Sequence, residues 1–358
     1  MDTLTTLGWN DLLSDQFVPH REDGLVPGRV AVQHRGAWDV LTDAGELRVD
    51  VAGRLRHEAI APAELPVVGD WVAVAARPHE SGGTIQAVLP RRTKFSRKTA
   101  WQAAEEQVLV ANVDVVFVVT SLNEDLNLRR LERYMTLAWE SGASPVIILT
   151  KADLVDDPAP AVAAVESVAY GIPVFPTSTK TGIGLENVTG YLPIGVTGAL
   201  LGSSGVGKST LVNALVGDER IFTQEIRDDG RGRHTTTRRE LIVLPGAGLI
   251  VDTPGMRELQ LWDADEGLEE AFEDVTELFG RCRFSDCAHD TEPGCAVRAA
   301  LADGTLARER WESYVKLQRE LEHLERRVDK RAQSEARRRW RVISREATER
   351  MRMKGRDV

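Results

Sequence analysis

From Arg29 to Leu89 apolar and polar residues alternate in short runs, RVAVQH, AWDVLT, ELRVDV, DWVAVAA and TIQAVL. Turn-forming stretches such as Thr42-Asp43-Ala44-Gly45 and Ser81-Gly82-Gly83 separate them. Alternation with period two turns one side of each run toward a core. Five such runs without a helical pattern between them predict a small barrel, and the five-stranded Greek-key OB-fold is the economical arrangement. After Lys98 the texture changes. VDVVFVVTS and PVIILT are apolar at nearly every position, as strands covered on both faces are. Between them NLRRLERYMTLAWESG repeats its apolar positions at helical spacing and stops at Gly142. A further helix is expected near Ala159 to Ala169, then a strand at PVFPTS, then GALLGS leading into the helix KSTLVNALVG. ELIVLPGAGLIVDTPG reads as a hairpin ending in a buried strand. This alternation predicts a mostly parallel sheet with helices on both faces. Beyond Trp262 come an acidic helical stretch, a Cys/His cluster and a long charged helix, and no internal repeat is present.

The expected fold is therefore multidomain. An OB-type β-barrel with an N-terminal extension occupies residues 1–100, and an α/β P-loop domain residues 101–258. A helical metal-binding domain covers 259–320 and a basic helical tail 321–358. The 358 residues are enough for two or three separate cores. The opening MDTLTTLGWNDLLSDQFVPH lacks the basic start and apolar run of a secretory leader, and VDVVFVVT is too short to span a bilayer. A cytoplasmic protein with no membrane partner is expected. All three cysteines fall between Cys282 and Cys295, which argues against a disulfide framework. The net charge of −10 is unevenly spread: Leu321 to Val358 carry 13 Lys/Arg against 7 Asp/Glu, and PRRTKFSRK (Pro90 to Lys98) forms a second basic cluster. Two basic patches on an acidic body suit a specific polyanion, and the same clusters equally suit solvated faces.

Gly202-Ser203-Ser204-Gly205-Val206-Gly207-Lys208-Ser209 matches the phosphate-loop pattern G-x-x-x-x-G-K-[ST], between a short apolar strand and a helix, and Thr210 just after it is a further candidate nucleotide contact. Its glycines let backbone N–H groups wrap the phosphates at a helix N-terminus. Lys208 would reach the β- and γ-phosphates, and the Ser209 hydroxyl would ligate Mg²⁺. Asp252-Thr253-Pro254-Gly255 follows the apolar GLIV, so Asp252 would hold Mg²⁺ through water and the Gly255 N–H would sense the γ-phosphate. Thr150-Lys151-Ala152-Asp153 ends a buried strand. There the Asp153 carboxylate would accept from guanine N1–H and N2–H₂, which adenine lacks, while Lys151 lies along the base. Ser178-Thr179-Lys180 fits the companion loop that contacts the base, with Ser178 and Lys180 as its candidate residues.

The base-reading loops precede the phosphate loop, the reverse of the usual order. A parallel sheet needs its strands adjacent in space and sets no cyclic order along the chain. Joining the ends of an ordinary domain and cutting it elsewhere leaves the pocket intact. The chain reads as a circularly permuted GTPase whose second switch region runs directly into the C-terminal cluster, a route for passing nucleotide state to that module. Cys282, Cys287, His289 and Cys295, spaced C-x₄-C-x-H-x₅-C, supply three thiolates and one imidazole. Such a set fills tetrahedral Zn²⁺ and marks a structural site, although the spacing departs from C-x₂-C fingers.

The barrel pattern, the permuted GTPase domain, GRGRHTTT and CRFSDCAHDTEPGCAV together resemble the ribosome small subunit-dependent GTPase A family, over roughly Gly24 to Leu321. The resemblance implies a bacterial assembly factor acting late in small-subunit maturation, with GTP hydrolysis stimulated by that subunit and its rRNA as partner. It also implies one structural Zn²⁺ on the four cluster residues, and it carries nothing over to residues 1–20 or to the far tail. Thr150 stands where GTPases usually have Asn. Met256 stands where many have a water-orienting glutamine, so intrinsic hydrolysis should be slow. His234, in a first switch segment whose glycines Gly230 and Gly232 leave it mobile until ligand orders it, is the candidate to position water, with a contact to rRNA phosphate as its other reading. Thr236 or Thr237 would close onto Mg²⁺. Tyr314, Leu317, Leu321, Leu324 and Val328 form an apolar stripe that Trp340 and Ile343 continue. Arg337, Arg338, Arg339, Arg341 and Arg345 lie on the other face, suited to rRNA phosphates. A monomer using GTP and releasing GDP is expected. The competing functions are a nucleotide-gated RNA-binding protein with incidental hydrolysis and an ATP-using P-loop enzyme with a chance TKAD.

Overall fold

The computed structural model describes residues 2–59, 61–77, 82–98, 106–123, 126–217, 239–252 and 265–322. The five alternating runs form β1 (Val26–Gln33), β2 (Trp38–Thr42), β3 (Gly45–Val51), β4 (Trp71–Ala76) and β5 (Gly82–Val88). Their order is β1-β2-β3-β5-β4, and β1 also pairs with β4, which closes the barrel. The β3–β5 pairing is parallel, as the OB-type arrangement requires. Inward positions of the alternation, among them Val30, Val40, Val49, Val72, Val74 and Ile85, fill the interior.

The N-terminal segment packs outside the barrel interior, in the larger core that also contains Trp71, Leu89 and Leu109. Helices α1 (Thr3–Thr6) and α2 (Asp11–Glu22), the latter capped by Asn10, bury Leu7, Leu13 and Phe17. Trp9 sits edge-on between Phe17 and Trp71, at 5.7 and 4.9 Å. Beneath them Arg29, only 2% exposed, donates to Gly69 O at 3.3 Å, Asn112 O at 3.0 Å and Leu7 O. Burial pushes its pKa down to about 10, and the three carbonyls keep the cation hydrogen-bonded.

Helix α3 (Gly53–Glu58) lies between β3 and β4. After the barrel, β6 (Lys94–Lys98) and β7 (Glu106–Ala111) form a separate antiparallel pair. Three cations of the basic cluster at Pro90–Lys98 meet carboxylates of the fold. Arg91 pairs with buried Asp70 at 2.7 Å, Arg92 with Asp114 at 2.6 Å and Lys94 with Glu106 at 2.7 Å. These three cations are neutralised within the fold.

The α/β domain comprises β8 (Val115–Ser121), α4 (Leu128–Glu140), β9 (Ser144–Thr150), α5 (Ala159–Glu166), β10 (Val174–Pro176) and α6 (Leu185–Gly190). Then follow β11 (Thr197–Leu201), α7 (Lys208–Val216), β12 (Glu240–Val243) and β13 (Leu249–Asp252). The sheet order is β10-β9-β8-β11-β13-β12. All pairs are parallel except β12–β13, the hairpin expected from the sequence. All seven residues of β8 are buried, so helices cover both faces. A bridge at 191–196 joins α6 to β11, and its Leu192 and Val196 carbonyls accept from Gly248 and Leu249 N–H at 2.7 and 2.8 Å. The N-terminal segment leans on it: a Cβ added to Gly8 would lie 2.6 Å from Gly195 O. Residue Val32 of β1 pairs with Glu240 of β12, so barrel and α/β sheet form one run of eleven strands.

The C-terminal part contains α8 (Asp265–Ala271), α9 (Glu273–Thr276), α10 (Ala296–Asp303) and a helix over 308–322, here α11. It docks on α4 through buried charge. Arg310 (4% exposed) donates to Glu132 (2%) at 2.8 Å and to Asp274 at 2.7 Å, and its guanidinium lies 3.9 Å from the Phe272 ring centroid. Ser313 also donates to Glu132. Tyr314, Leu317 and Leu321 of the expected stripe are buried in the same core.

Candidate nucleotide site and metal centre

Because β8, β9, β10, β11 and β13 run parallel, their C-terminal ends share one edge of the sheet, where ligands of open α/β sheets bind. The register puts Ser121 beside Thr150, Val118 beside Leu201, Leu149 beside Pro176 and Ala199 beside Val251. The phosphate loop, the Thr150–Asp153 loop, the Ser178–Lys180 loop and Asp252 therefore emerge together, although β9 and β11 lie on opposite sides of β8.

Direct hydrogen bonds join these loops. The buried Thr150 hydroxyl lies 2.6 Å from Val206 O in the phosphate loop and 3.2 Å from Thr120 O. The short contact takes its single proton, so one threonine ties the two loops. Lys151 adopts a left-handed φ of +61°, and Ala152 N–H donates to Thr177 O at 3.1 Å. Ser178 Oγ donates to Asp153 Oδ1 at 2.7 Å, which holds the Asp153 carboxyl below its ordinary range and keeps it an ionised acceptor. Lys180 Nζ is 4.0 Å from Asp153 Oδ2 with its side chain 81% exposed, a pair worth little.

In the phosphate loop a Cβ at Gly202 would lie 2.1 Å from Val119 O, so only glycine lets the loop leave β11 against β8. Gly207 has φ +97° and is the N-cap of α7. Ser203, Ser204, Gly205 and Val206 form the turn between them, and Lys208, Ser209 and Thr210 open the helix. Lys208 Nζ donates to Gly202 O at 2.6 Å and to Ser203 O. His234, Thr236, Thr237 and Gly255 lie outside the described residues, as does the tail beyond residue 322.

The second constellation lies at the far end of the chain. The donor atoms of Cys282, Cys287, His289 and Cys295 all fall within 4.8 Å of one another. Ligands at the vertices of a tetrahedral zinc–thiolate site stand about 3.8 Å apart. His289 presents Nδ1 at 3.6 Å from Cys282 Sγ and 3.5 Å from Cys295 Sγ. Donor chemistry and spacing fit Zn²⁺. The His289 ring stacks on Phe279 at 4.4 Å with Trp311 edge-on at 5.8 Å, which joins the cluster to α11.

Glu132 and Arg310 escape the motif reading. Their one signal is a charge at a core position of a helix, Glu132 beside Leu131 and Arg310 beside Trp311.

Among known proteins, the RsgA GTPase profile matches residues 88–262. A small ribosomal subunit biogenesis GTPase RsgA from Opitutus terrae is 48% identical over 364 residues, covering 99% of each chain. The chain belongs to the RsgA GTPase family. A relative of the same name from Streptomyces coelicolor is 48% identical over 344 residues, covering 94% of this chain and 92% of its own. Among solved structures, YjeQ from Thermotoga maritima aligns with a TM-score of 0.63 at 30% identity, over 83% of this chain and 98% of that one. YloQ, described as a circularly permuted GTPase, aligns with a TM-score of 0.62 at 25% identity, over 84% and 96%. Membership in the RsgA family makes this chain a GTP-hydrolysing enzyme with its nucleotide domain in permuted order. No helix among the described residues is long and apolar enough to cross a membrane.

Proposed function

We propose that this GTPase acts in the maturation of the small ribosomal subunit, binds that subunit's rRNA, and is stimulated by the subunit. The names of its relatives support the partner. The observation that carries the assignment of the site is the Thr150–Val206 bond, which joins a guanine-reading loop to a phosphate loop across the permutation. In this reading Asp153, kept ionised by Ser178, accepts both guanine donors, and Lys151 flanks the base. Thr150, Ala152 and Lys180 frame the base loops. The amides from Gly202 to Thr210 cradle the phosphates with Lys208. Ser209 and Asp252, with Thr236 or Thr237, hold Mg²⁺, which supplies charge neutralisation at the β- and γ-phosphates when bound. Gly255 senses the γ-phosphate, and His234 orients the attacking water in the role Met256 cannot fill. Cys282, Cys287, His289 and Cys295 hold one structural Zn²⁺.

The division into residues 1–100, 101–258, 259–320 and 321–358, a monomeric state and a cytoplasmic location belong to the same reading. The test is GTP turnover with and without purified small subunits. A many-fold rise in multiple-turnover rate is expected. An unchanged rate would overturn the proposed partner.

A further inference from the structure

Glu292 lies between His289 and Cys295 and is not among the four clustered donors. Its carboxylate gathers three backbone amides: Ala288 N–H donates to Oε1 at 3.1 Å, and Asp290 and Thr291 N–H donate to Oε2 at 3.0 Å each. These amides bracket His289, whose φ of +61° is a left-handed conformation seldom taken by a residue with a side chain. The stretch has no helix or strand of its own to hold it there. Its ring is fixed from outside by the stack on Phe279 and the edge of Trp311, and its Nδ1 faces the thiols of Cys282 and Cys295.

We propose that Glu292 is the positioning residue of the metal centre. By collecting the amides of Ala288, Asp290 and Thr291 it fixes the turn that aims His289 Nδ1 at the thiolates, and so sets the affinity for zinc. The role resembles that of groups just outside the ligand shell in other metal sites, whose loss weakens binding about 10- to 100-fold. It rests on the reading of the cluster as a zinc site.

The test uses the full chain with Glu292→Ala and Glu292→Gln. Affinity for Zn²⁺ is measured by competition with a chromogenic chelator, and Co²⁺ absorption reports four-coordinate geometry. Glu292→Ala should bind Zn²⁺ about 10- to 100-fold more weakly and show altered cobalt bands. Glu292→Gln, which sets an amide NH₂ against one of the donors, should fall between it and the parent. GDP affinity should stay within twofold in both, which separates a loss at the metal centre from general unfolding. If Glu292→Ala fails that check, Glu292→Gln decides. Parental zinc affinity and cobalt spectrum in a folded variant would overturn the role of Glu292 alone. A parent that takes up neither metal would overturn the zinc site and this role with it.

Discussion

Thr150→Val removes one hydroxyl and keeps the shape of the side chain. That hydroxyl donates at 2.6 Å to Val206 O, in surroundings where Thr150 is 4% and Val206 1% exposed. A buried carbonyl left without its donor costs about 1–3 kcal/mol. Part of that cost falls on the stability of the free protein. The rest appears as weaker nucleotide binding, because a bound nucleotide must hold both loops in the geometry the bond had fixed. A share of about 1.4 kcal/mol corresponds to about a tenfold rise in Kd. Transfer of the full 3 kcal/mol would give roughly a hundredfold. Titration of fluorescent GDP into parent and variant measures it. Preference for GDP over ADP should be unchanged, since the acceptor for guanine is Asp153. Thr150→Asn places an amide donor near the same carbonyl and should bind close to the parent. Parental GDP affinity in Thr150→Val would show that the bond does not couple the loops.

Other perturbations separate the remaining parts. Asp153→Asn replaces a charged double acceptor and should weaken GDP binding about 10- to 100-fold with a much smaller change for ADP, measured by competition. Its ionisation is favoured by Ser178, so guanine binding is present above the ordinary carboxylate range and is lost only as pH falls through the lowered folded value. In Ser178→Ala the acid limb of a GDP-binding profile should therefore move to higher pH. His234→Ala should leave GDP affinity intact and lower subunit-stimulated turnover about a hundredfold or more, as loss of a proton-handling or water-positioning group does. Glu132→Ala leaves Arg310 inside the α4 contact with Asp274 as its remaining carboxylate partner and should cost at most about 3–5 kcal/mol in chemical denaturation, part of which Glu132→Leu combined with Arg310→Met restores.

The nucleotide loops were legible because each motif fixes backbone geometry as well as chemistry: Gly202 admits Val119 O and Gly207 takes a positive φ. The barrel was legible because every second residue of its strands points inward. What the pattern could not give was the joints between parts. Leu7, Leu13 and Phe17 are spaced too irregularly across a break at Gly8-Trp9-Asn10 to mark two helices, and their burial depends on Trp71 and Arg29, which lie well along the chain. In the cluster at Pro90–Lys98 the sequence shows cations without their partners, since Asp70 and Asp114 reach Arg91 and Arg92 only in three dimensions. Val32 and Glu240 meet across more than two hundred residues in a single paired position, which no periodicity announces.

The bridge at 191–196 marks where a nucleotide domain of ordinary order would have its two free ends. Here that seam is sewn shut, and its Leu192 and Val196 carbonyls are held by Gly248 and Leu249. Thr5 of α1 and Gly8 just after it pack against Gly195, shortly upstream of the strand that delivers the phosphate loop. Permutation has thus turned a pair of dangling tails into a footing for Thr5 and Gly8 of the N-terminal segment.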